Sequence, residues 1–312
     1  IEIESSQFRQ NMIVLPTTGS SESSVSASEQ KSRYLLYFTT SFQVLITQSD
    51  FVENLLEVTE RINVTDPPDP LSTTYKEVAK RKSATIYGSG QQEGISTIET
   101  KNCKFLDSYG SFGVLYLIST AFTDTGSQWK GNWGDFMVFK LEAYSTITIT
   151  NGTFEENRSI KESLAAVDSY CTVKMYNCSV TKNTSNVGST IFFYGDAELV
   201  MEDTNFSENE AANGSVIGEF MSLSRSSRVV LKRCEIRKHT NAHLVLTAFN
   251  LGDFRLEEVD FLENSMQILK ASLSQVSIVN SVFNGEEQDF NNVDSVNGGC
   301  LRLSESIVSV SN

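Results

Sequence analysis

Two histidines, five cysteines and 39 acidic residues carry most of the reactive chemistry in this 312-residue chain. The histidines are His239 and His243, and neither has a cysteine or histidine at metal-ligand spacing. Neither a zinc site nor a nucleophilic triad is therefore predicted. Cleaving a sugar polymer would take paired carboxylates at a defined spacing, with a Ca²⁺ ion or a basic residue beside them. The densest acidic stretch is GDAELVMED, Gly195 to Asp203, followed by GEEQDF, Gly285 to Phe290. Both read as solvated turns of an acidic protein. Ca²⁺, which takes roughly six to eight oxygens, is the one cofactor such turns bring into view. No catalytic residue is assigned, and the chain reads as a non-enzyme. The segment GSQWKGNWGD carries both tryptophans. Trp129 and Trp133 read as a contact loop that stacks on sugar rings or docks a neighbouring protein, or as a flap folded over an open groove.

The elements that position these residues are repeats. One line, apolar-x-apolar-x-x-small-x-Phe-x-x-Asn, recurs nine times, beginning at Ile1, Val44, Ile98, Ile147, Val173, Leu199, Val229, Phe254 and Val276. A fixed line of this kind marks a repeat fold. The apolar pair, such as Ile147 and Ile149, has period two and lies on one inward strand face. The small slot and the aromatic follow on a shifted period, so one extra residue must bend the chain between them. Asn102, Asn151, Asn177 and Asn280 occupy that place. Asparagine tolerates the left-handed conformation, and these four are predicted to form a side-chain ladder. Phe105, Phe154, Phe206, Phe261 and Phe283 are predicted to stack inside, with Val180 and Ile236 substituting. The closing Asn of each copy (Asn54, Asn157, Asn183, Asn209, Asn264) marks a second turn, where His239 replaces it once.

Equivalent positions from Phe154 onward lie about 22–30 residues apart, which suits one solenoid turn per copy. The predicted fold is an all-β, single-stranded right-handed parallel β-helix of nine or more coils, one continuous domain over 1–312. Earlier spacings are about double. Loop-like composition places long insertions there, near 17–32, 63–82 and 120–135. Whether SATIYGSG and MVFKLEAYS, which look like returning strands, form separate coils stays open. Cys103, Cys178 and Cys234 share the small inward slot and read as buried free thiols.

FEEN, FSEN, FLEN and FVEN, together with GGCL at Gly298, resemble the FxxN and GGA-[ILV] repeats of the chlamydial polymorphic outer membrane proteins. The stack also resembles the pectate-lyase-like solenoids of large protist surface proteins. The resemblance implies an exported, elongated structural or adhesive protein at the cell surface. Because polysaccharide-acting enzymes use the same fold, a carbohydrate-binding or carbohydrate-cleaving module is the alternative. Sequons occur at Asn63, Asn205 and Asn213, the favoured glycosylation candidates, and at Asn151, Asn157, Asn177 and Asn183, which fall in turn slots. The net charge of −14 argues against nucleic acid and anionic lipid as partners. No apolar run reaches the roughly 18 residues that span a bilayer. The expected partners are protein neighbours or further coils of the same chain at both ends, and glycans.

Overall fold

The structure, a computed structural model, describes residues 1–9, 12–14, 34–57, 84–90, 96–110, 113–134, 138–159, 165–186, 190–211, 215–222, 226–239, 244–264, 267–285 and 301–311. Within them the chain is all-β and winds as a right-handed parallel β-helix. Four parallel sheets run along it. Sheet A stacks eleven strands, from Glu2–Glu4 to Ile307–Ser311, and sheet B ten, from Gln7–Arg9 to Val282–Gly285. Sheet C has seven two- and three-residue strands, from Met12–Val14 to Glu210–Ala211, and sheet D ten, from Tyr34–Thr40 to Leu301–Ser304. The predicted insertions near 17–32 and 63–82 lie outside the described residues.

Residues of equal rank pair from coil to coil. In sheet A, Phe122 pairs with Ile147, Ile147 with Val173 and Val173 with Leu199. In sheet B the aromatics stack at about the strand spacing. Phe8 and Phe51 lie 4.8 Å apart, as do Phe51 and Phe105, while Phe105 and Trp129 are 3.9 Å apart. Phe261 and Phe283 close the row at 4.9 Å. One apolar core fills the interior. Removing each such ring from water contributes about 2 kcal/mol. Residues in the left-handed region make the bends between sheets, Asn151 (φ 56°) and Glu156 (φ 57°) among them.

The third expected insertion, 120–135, is corrected. Ala121–Thr125, Gln128–Lys130 and Trp133–Gly134 are strands of sheets A, B and C, in register with Thr146–Thr150, Thr153–Glu155 and Arg158–Ser159. The loop placement of both tryptophans falls with it, and burial removes Trp129 as a contact residue. Trp129 takes the place of phenylalanine in the core and is fully buried. Trp133, 38% exposed, lies against Tyr109 with ring centroids 4.1 Å apart. The line persists through this coil as Phe122, Asp124, Ser127, Trp129 and Asn132. An acid in an apolar slot and Trp for Phe hide it from a search for the motif. Ala84–Gly90 and Phe139–Glu142 are strands of sheet D, each pairing with Leu115–Ile118.

Candidate functional site

Two rows of asparagines follow the bends, and they differ in direction. Asn102, Asn151, Asn177 and Asn280 adopt φ between 47° and 56° and are exposed. The expected ladder among them holds as one hydrogen bond, Asn177 Nδ2 donating to Asn151 Oδ1 at 2.7 Å. The extended ladder is instead the row of closing asparagines, which is fully buried. Asn132, Asn157 and Asn183 each donate Nδ2 to the next Oδ1 at 2.9–3.0 Å. Each also donates to a carbonyl of the preceding coil, Phe105 O, Trp129 O or Phe154 O, at 2.8–3.0 Å. Every Oδ1 also receives a backbone N–H, Asn157 N to Asn183 Oδ1 at 3.0 Å for example. The ladder thus answers buried polar groups that water cannot reach. His239 continues it, its Nδ1 accepting from Asn209 N at 3.0 Å, and burial holds its pKa down to about 4.

For the sequons, exposure reverses part of the expectation. Asn151 and Asn177 are exposed, Asn157 and Asn183 are buried, and Asn205 is half-buried with no hydrogen-bond partner for its buried Oδ1. Asn63 and Asn213 lie outside the described residues.

The small slot is a second polar row. Cys103 N donates to Ser127 Oγ at 3.0 Å, and Ser49 Oγ donates to Thr47 O at 2.9 Å. Cys103, Cys171, Cys178 and Cys234 are free and buried. Burial raises all four thiols, Cys171 and Cys234 to about 11, which keeps them protonated and unreactive. Ser127 and Gly152 lie between the coils of Cys103 and Cys178, so those two are three rungs apart. One buried acid stands in the core beside this row. Asp124 Oδ1 accepts from Thr100 Oγ1 at 2.6 Å and from Ser127 Oγ, and Oδ2 accepts from Trp129 Nε1 at 3.3 Å. Burial raises the Asp124 carboxyl, and the three donors oppose that shift. With no exposed surface, Asp124 has no route to a substrate.

Chemistry that a ligand can reach gathers where sheet D turns into sheet A. Leu141 pairs with Val167, which places Glu142 beside Asp168 and, two residues on, Tyr144 beside Tyr170. Lys140 Nζ lies 2.7 Å from Asp168 Oδ1 and 3.8 Å from Glu142 Oε1. Tyr116 Oη donates to Glu142 Oε2 at 2.9 Å. The rings of Tyr144 and Tyr170 stack 5.1 Å apart at 13°, and they are 48% and 59% exposed. Sequence reasoning missed this cluster because the acids and tyrosines are spread over 29 positions and meet only through the coil register.

The acidic stretches hold ion pairs. Asp203 and Glu202 face Arg233 at 2.7 and 3.4 Å, and Glu198 faces Arg228 at 2.9 Å. Among the described residues no group of three or more His, Cys, Asp or Glu side chains is arranged to hold a metal ion. The stretch at 286–290 lies outside them. Comparison with protein-family models, curated proteins and solved structures returned no match.

Proposed function

We propose that the chain is a non-catalytic structural or adhesive segment of an extracellular surface or filament protein, flanked by further coils or protein neighbours. The observation that carries this reading is where the recurring residues go. The aromatic, the small residue and the closing asparagine face inward and are consumed by stacking and ladder bonds. Outward positions differ instead from coil to coil, as in Thr123, Thr148, Lys174 and Arg255. Sequence regularity thus serves a rod, while a catalytic centre needs convergent polar groups at one place. Resemblance to polymorphic outer membrane protein repeats and pectate-lyase-like stacks supports export. Labelling of intact producing cells with a membrane-impermeant biotin reagent tests it. Exposed lysines such as Lys101 and Lys104 become labelled if the segment is on the surface, and protection from the reagent contradicts the reading.

The alternative, a carbohydrate-binding or carbohydrate-cleaving module, is favoured by one observation, the tyrosine pair beside Glu142 and Asp168. Release of new reducing ends or unsaturated sugars from polysaccharides by the purified chain would establish cleavage; the structural reading expects none.

A further inference from the structure

The turn bearing Tyr144 differs from the turn one coil earlier. Ile118 pairs with Glu142, and Thr120 N donates to Ser145 Oγ, so Ser119 alone spans what Ala143 and Tyr144 span together. The added residue puts a ring where the earlier coil has none. The next coil repeats it with Tyr170. In the coil after that, Asp196 takes the place, because Phe193 pairs with Val167 and Tyr170 N donates to Asp196 O. The aromatic stack is therefore two rings long and bounded by Ser119 on one side and Asp196 on the other. Both tyrosines sit at positive φ, 61° and 64°, a conformation bulky residues adopt at a cost. Packing does not account for rings held there about half exposed.

We infer that Tyr144 and Tyr170 form a binding platform for a neutral glycan chain. This rests on the carbohydrate-binding reading, as the contact that an adhesive segment would use, and names its residues. The flat, apolar C–H face of a pyranose ring covers an aromatic surface, and its hydroxyls donate to carboxylates placed around that surface. Glu142, Asp168 and Asp196 share this row, where they already accept from Tyr116, Lys140 and Ser222, and the further lone pairs of a carboxylate supply those acceptors. Asp168 is paired with Lys140, while Glu142 and Asp196, on a chain of net charge −14, repel uronate or sulfated polymers. A basic peptide is the weaker occupant, since Lys140 already neutralises Asp168 at 2.7 Å.

The test titrates the full chain with neutral hexasaccharides of glucose, mannose and N-acetylglucosamine, with a galacturonate hexasaccharide and hexalysine as counter-probes. Tyr144→Gly and Tyr170→Gly remove the rings at positions whose positive φ glycine accepts, so the fold is preserved. At least one neutral hexasaccharide binds, and the double glycine variant weakens it by about tenfold or more. The inference is overturned if no neutral probe binds, if the variant binds equally well, or if galacturonate or hexalysine binds more tightly. The adhesive reading fails separately, through protection of the chain from surface labelling.

Discussion

In the strand Thr146–Thr150 the two inward slots hold Ile147 and Ile149; in the strand before it, Ala121–Thr125, they hold Phe122 and Asp124. The two rungs share register, sheets and bends. The first is apolar, and it borders an apolar cavity of about 60 Å³ lined by Leu141, Ile149, Phe154, Val180 and Phe206 among others. The gap follows from Val180 standing in the aromatic row and Ala165 standing between Phe139 and Ile191 in sheet D. The second rung is filled by Trp129 and spends part of that volume on a carboxylate satisfied by Thr100, Ser127 and Trp129. Backbone geometry therefore tolerates either chemistry inside, provided each buried polar atom is answered. Stability rests on the ladder both rungs share, from Asn132 through Asn157 to Asn183.

The largest effect should come from breaking that shared part. Asn183→Ala strips acceptors from Asn157 N and Nδ2 and a donor from Phe154 O, all buried. Loss of about 4 kcal/mol is expected, read as a shift of the urea midpoint. Asn177→Ala, in the exposed row, should cost less than about 1 kcal/mol in the same measurement.

His239 comes next. Its folded pKa of about 4 lies below the ordinary 6.5, so the folded state resists the proton that the unfolded state accepts. Its contribution is present above about pH 6.5 and falls away toward pH 4, by up to about 3 kcal/mol. His239→Asn should remove that loss, which denaturation at pH 5 against pH 7 detects.

Asp124 has the opposite sign. Its folded pKa is raised above the ordinary 3.8, so its stabilising contribution is complete below that value and is lost as pH rises through the folded one. Wild type should weaken between pH 4 and 7 relative to Asp124→Asn, whose midpoint lacks that slope. The smallest change sharpens the apolar rung: Val180→Phe extends the aromatic row into the cavity and should add about 1 kcal/mol, seen as a raised melting temperature.

The recurring line reveals the sheets and the inward faces because burial acts on every copy alike: Ile147, Gly152, Phe154 and Asn157 keep the same rank throughout. It hides whatever one coil does alone. Asp124 and Trp129 depart from the pattern while keeping its geometry, so their coil reads as an insertion. Both asparagine rows are visible, but only the backbone separates them. A residue at the left-handed bend, such as Asn151, points to solvent, and one just after it, such as Asn157 behind Glu156, points inward. The cluster of Tyr144, Tyr170, Glu142 and Asp168 depends on a one-residue extension of a turn, to which composition and period are blind.

The register itself is open to a direct ruler. Thr123 pairs with Thr148, Thr148 with Lys174, and the row continues through Val200 and Val230 to Arg255. Spin labels on Thr123 and Lys174 span two rungs, and labels on Thr123 and Arg255 span five. At roughly 4.8 Å per rung, dipolar spectroscopy should give backbone separations near 10 and 24 Å, each as a narrow distribution. Equal distances for the two pairs, or broad distributions, would contradict the stack.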